Sequence, residues 1–144
     1  MAVEPLATSQ LPEVIGHAVA PSFLLGAVSG FVAVLIGRLN GVLDRIRTIN
    51  AIADDDAARV HLKGDLPRLI KRARLLNGAV FLSVGSALAT TILLMLAFVF
   101  ALLGFRHEPG AAAMFIIALA LIGSALVMLA REVRIALTDY DHFS

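Results

Sequence analysis

Residues able to do chemistry are sparse in this chain, and most of them come in pairs at helical spacing. Glu13 and His17 stand four apart, which places a carboxylate and an imidazole on one face of a helix. Such a pair could hold a proton or an ion, although a metal would need further ligands from other copies. The simpler alternative is a polar pair at an interface. Asn40 and Asp44 are also four apart, beside Arg38, Arg45 and Arg47. Lys71, Arg72 and Arg74 form a basic cluster of the kind that attracts phosphate groups. Ser83, Ser86 and Thr90 bring three hydroxyls to one side of a helix. No GxSxG, HExxH or phosphate-binding loop is present. With no cysteine, thiolate chemistry and Cys-based zinc sites are excluded. The expectation is a chain without catalytic residues, cofactor or resident metal.

The elements that carry these residues follow from composition. Hydrophobic residues make up 59% of the 144, charged residues 16%, and the mean hydropathy is +0.89. A soluble domain is nearer half apolar and a quarter charged, and one this small has too much surface to hide the excess. Disorder needs the opposite composition. Val14–Gly37, Leu75–Phe105 and Pro109–Ala130 contain no formal charge. Each exceeds the ~20 residues that a helix needs to cross a bilayer core, and none is long enough for two crossings. Runs such as Thr91–Phe100 lack the alternation and turns of a membrane barrel.

The fold expected is therefore all-α and integral to the membrane, a single domain over 1–144. Three transmembrane helices are placed at 18–37, 80–103 and 112–130. A short interfacial helix is expected at 9–20, with Pro21 bending the chain where it enters the core. Residues 38–77 read as a helical hairpin continuing the first two spans. Leu39, Val42, Leu43, Ile46, Ile49 and Ile52 form one apolar stripe, and Leu66, Leu69, Ile70 and Ala73 another. Asp65 can cap the second arm, with Pro67 in its first turn. The two arms are expected to be antiparallel and to pack through Leu39, Leu43, Ile46, Leu69 and Ile70. Residues 131–144 read as a tail.

Basic residues set the orientation. The 38–77 connection carries Arg38, Arg45, Arg47, Arg59, Lys63, Arg68, Lys71, Arg72 and Arg74, and the tail carries Arg131 and Arg134. The segment before the first span has none, and the turn near Gly110 has only Arg106. The N-terminus is expected outside, with the hairpin and C-terminus in the cytoplasm. Lys71, Arg72 and Arg74 then sit where anionic inner-leaflet lipids present their headgroups. Nucleic acid is a poor partner, because Asp54–Asp56 adjoins the basic stretch and Tyr140 is the only Tyr or Trp.

Several strings together resemble a known family. Ala20–Gly26 opens the first span, Arg38-Leu39 and Asp44–Arg47 follow it, and Leu69–Leu76 leads into the second. Arg131–Ala136 closes the third. In this order they resemble the domain of unknown function 2721 family, small bacterial three-span proteins of the inner membrane. The resemblance implies a location and a topology, and brings no activity.

Two functions fit these features. The first is a homo-oligomer that conducts an ion or small solute, since three helices alone cannot enclose a polar path. Ser22, Gly26, Ser29 and Gly30 include a GxxxG pattern that lets helix backbones approach closely. That contact could equally lie within one chain. Asn40 and Asp44 would ring the pore mouth, or simply reach for headgroups. The second is a structural or accessory subunit of a larger membrane complex, docking through the hairpin. Ser83, Ser86 and Thr90 favour hydrogen bonding inside or between helices over a water path.

Overall fold

The computed structural model describes the backbone of residues 3–104 and 108–143, and the side chains of residues 12, 15, 16, 18–104 and 110–138. Among the described residues all regular structure is helical. Helix α1 spans Val3–Asn50, a 3-10 turn covers Val60–Asp65, α2 spans Leu66–Leu103 and α3 spans Glu108–Phe143. At 1.5 Å per residue the 38 residues of α2 are ~57 Å long, well beyond a ~30 Å hydrocarbon core. Among the described residues three helices are long and apolar enough to cross a membrane: Ala18–Asn50, Val60–Leu103 and Gly110–Thr138.

The boundaries differ from expectation in two places. No element boundary falls at Pro21, because α1 runs unbroken through Pro12 and Pro21. In apolar surroundings a helix is the backbone's main way to satisfy its own polar groups, so Pro is tolerated inside it. Through the expected tail, α3 continues as helix to Phe143. The start of α2 at Leu66, with Pro67 in its first turn, is as expected, although no side-chain bond from Asp65 caps it. Helix α2 ends at Gly104, whose φ of +77° is a left-handed cap that glycine adopts without steric cost.

The chain divides into two compact units, each with a segment of all three helices. The first comprises Met1–Phe31 and Ser83–Gly123. Its buried positions among the described residues are Pro21 and Val28 on α1, Ser83, Ser86, Ala89, Thr90 and Leu93 on α2, and Ala118 on α3. The second comprises Val32–Leu82 and Ser124–Ser144. It buries Leu35, Val42 and Ile49 on α1, Leu69, Leu76 and Ala79 on α2, and Ala125 and Glu132 on α3. Spacings of seven (35/42/49, 69/76, 125/132) and of three and four (83/86/90/93) mark helices packed in the manner of a coiled coil. Of the residues expected in the seam of the second arm, Leu69 is buried and Ile70 is 41% exposed, and Leu76 is buried with Leu69.

What is inside and what is outside identifies the solvent. Buried positions in the first unit are mostly Ala, Ser and Thr, while its Phe23 and Leu102 are at least 80% exposed. In water such a surface would be one large sticky patch. In lipid it is what helix packing requires, with small residues at the contacts and large apolar ones against the acyl chains.

Candidate functional site

The site with the most chemistry lies in the second unit and is centred on Glu132. Its position on α3 is seven residues after the buried Ala125, so the helix carries it inward, and it is completely buried. A carboxylate there needs compensation, because an isolated buried charge is very costly. Arg38 on α1 donates from Nε and Nη2 to Glu132 Oε2, at 3.0 and 2.7 Å. Arg72 on α2 donates from Nε to Oε1 at 2.9 Å. Both carboxylate oxygens are thus held by guanidinium groups from the other two helices. The Arg38 and Arg72 side chains are 36% and 19% exposed, so each reaches from the buried acid toward the surroundings. In sequence all three residues stand just beyond the charge-free windows.

This arrangement can fix helix register and present guanidinium groups. It has no nucleophile, and no cluster of metal-ligating residues occurs among the described residues. Beside it an open cleft of about 380 Å³ is lined by Arg38, Gly41, Val42, Arg45, Asp65, Leu69 and Arg72. Arg45 is exposed there.

The other candidates are placed as follows. The side chains of Glu13 and His17 lie outside the described residues. Asn40 and Asp44 are exposed; Asp44 accepts from Arg47 at 3.2 Å, a pair open to the surroundings on both sides. Lys71 and Arg74 are exposed, whereas Arg72 is turned to Glu132. Ser22, Gly26, Ser29 and Gly30 are all exposed, and a Cβ added at either glycine would meet nothing within 4 Å. Among the described residues no side chain or neighbouring helix therefore packs against the two glycines of the GxxxG pattern. Ser29 Oγ donates back to the Leu25 carbonyl at 3.0 Å.

In the first unit the hydroxyl face of α2 is buried and bonded. Ser86 Oγ donates to the Ala118 carbonyl at 2.8 Å, and Thr90 Oγ1 to the Ser86 carbonyl at 2.8 Å. Ser86 thus ties α2 to α3, and Thr90 bonds back within its own helix. Near the end of α1, Lys63 pairs with the exposed Asp54. The hydrogen bond and the charge of Lys63 hold the Asp54 carboxyl below its ordinary value of 3.8.

Sequence reasoning missed Glu132. It falls in the stretch 131–144 that reads as a tail, although it follows the buried Ala125 at a spacing of seven on the same helix.

Three apolar helices with small residues at their contacts define a multi-pass, all-helical membrane protein. The chain belongs to the DUF2721 family of proteins of unknown function, whose model matches residues 18–142. No curated protein and no solved structure matches the chain.

Proposed function

We propose that the protein is a non-enzymatic, self-associating component of the bacterial inner membrane, and that copies meet through the outward face of α1. The carrying observation is the exposure of small and polar residues on that face. In the first unit Ser22, Gly26, Ser29 and Gly30 point away from buried Val28. In the second, Gly37, Asn40, Gly41 and Asp44 point away from buried Leu35 and Val42. Four of these are glycines with nothing within 4 Å of a Cβ. Lipid gains little from such a face. A second helix backbone can approach it closely, and Asn40 and Asp44 find polar partners there. The N-terminus lies outside, and the ends of α1 and α2 form an antiparallel hairpin in the cytoplasm, as the basic residues favour. Close packing of glycine faces supports a solid contact rather than a pore.

Native mass spectrometry of the full chain in mild detergent tests this reading. An oligomer is expected, converted to monomer by Gly30→Leu and unaffected by Leu24→Ile. Because Gly30 has open space around it within the protomer, the leucine leaves the fold intact. A monomeric native chain would overturn the proposal. In liposomes the protein is expected to add no ion flux, and a conductance abolished by Asp44→Ala would replace the structural reading with a pore.

A further inference from the structure

We propose that the cleft beside Glu132 binds the phosphate of one anionic membrane phospholipid. Three guanidinium groups line or edge it, from Arg38, Arg45 and Arg72, against the single carboxylate of Asp65. Counting Glu132 behind them, these described groups carry three positive and two negative charges, a net +1, which one monoanionic phosphodiester neutralises. The site is also pre-built. Glu132 is completely buried and holds Arg38 through Nε and Nη2, which leaves Nη1 of that guanidinium without a partner among the described residues. Arg45 makes no hydrogen bond or ion pair among them either. A planar guanidinium already fixed in place loses little entropy when a phosphate oxygen arrives, and its fork matches that oxygen's geometry.

The choice of a lipid over a free anion rests on the rest of the lining. Val42 and Leu69 provide apolar walls. In sequence Arg38 is the first charge after the Val14–Gly37 window, and Arg72 precedes Leu75–Phe105 by only a few residues. The cleft therefore stands where hydrocarbon gives way to headgroups, with room for a glycerol backbone against Val42 and Leu69. The cleft shares Gly41 with the α1 face argued above, but the proposal rests on the guanidinium groups and not on that glycine, and its test reads retained lipid rather than copy number.

The full chain in nanodiscs holding equal amounts of phosphatidylglycerol and phosphatidylcholine, examined by native mass spectrometry, tests the proposal. One phosphatidylglycerol per chain is expected to survive removal of bulk lipid, in preference to phosphatidylcholine. Arg45→Gln should lower that preference by about fivefold, the effect of one basic residue near an anionic surface. Arg59→Gln, an exposed basic residue outside the cleft, should leave it unchanged. Asp65→Asn removes the opposing charge and should raise it. Neither Arg45 nor Asp65 holds Glu132, so the fold survives these changes. Equal retention of the two lipids, or an Arg59→Gln loss matching that of Arg45→Gln, would overturn the proposal. Displacement of the retained lipid by millimolar inorganic phosphate would reassign the cleft to a soluble anion and overturn it as well.

Discussion

Replacing Glu132 by Gln isolates the charge at the centre of the second unit while keeping shape and volume. In the native chain three charge-assisted bonds converge on the carboxylate, at 2.7, 2.9 and 3.0 Å. Bonds of this kind contribute ~1.5–3 kcal/mol each, but Arg38 and Arg72 keep 36% and 19% exposure, so part of that is recovered from the surroundings. The amide can accept from one guanidinium only, and its NH2 faces the other. Removing one member of a buried ion pair costs ~3–5 kcal/mol, and the partial exposure of the arginines places Glu132→Gln toward the lower end. Unfolding in mixed micelles, driven by rising SDS mole fraction and followed by far-ultraviolet circular dichroism, reads the loss. The combined variant Arg38→Met, Arg72→Met, Glu132→Leu removes all three charges together, and should recover most of the stability, because an apolar replacement of a whole buried ion group is often neutral or stabilising. If Glu132→Gln stays within ~0.5 kcal/mol of the native chain, the arginines are hydrated in the folded state and the cluster is worth no more than a surface pair.

Four other outcomes are expected. Single cysteines at Ala57 and Thr8, in a chain with none of its own, should be shielded from and open to an impermeant thiol reagent on intact cells, respectively; the reverse pattern inverts the topology. Gly78→Ala should cost under ~1 kcal/mol and Gly78→Leu ~1–3 kcal/mol, because the new Cβ comes within 3.0 Å of the flexible Met128 thioether, which can yield to a methyl but not to a leucine. Ser86→Ala should cost ~0.6 kcal/mol, the average for an interhelical bond in a membrane, and a loss above ~2 kcal/mol would show that the Ser86–Ala118 bond does more than join two helices. Titrated by NMR, Asp54 should show a midpoint below 3.8 that returns toward 3.8 in Lys63→Ala; since the folded carboxyl titrates below its unfolded value, the small stabilisation from this pair is present at neutral pH and lost as the pH falls through that folded midpoint.

How much of this was readable in advance depends on the range of the physics involved. The three spans were legible because a charge in hydrocarbon is expensive at every position, so Arg38, Arg74 and Arg131 bracket the apolar windows locally. The hydroxyls of α2 were legible as a face because Ser83, Ser86 and Thr90 share a helical side within a few residues. Continuity of α1 through Pro21 was not, since local propensity marks proline as a break while the missing competition from water inside a bilayer favours the helix. Glu132 lay further out of reach. Its partners are 94 and 60 residues away in the chain, and a local window reads any charge beyond the last apolar residue as hydrated. The clue was periodic rather than compositional. Ala118, Ala125 and Glu132 follow one another on α3 at a spacing of seven, each buried within its own unit, and a spacing that continues past the last apolar residue carries whatever residue comes next into the interior. A glutamate delivered there must meet cations, and Arg38 and Arg72 are basic residues just beyond the windows of the two neighbouring helices. Arg38 and Arg72 thus hold three helices in register through Glu132, a role that counting basic residues as markers of an expected cytoplasmic side leaves out.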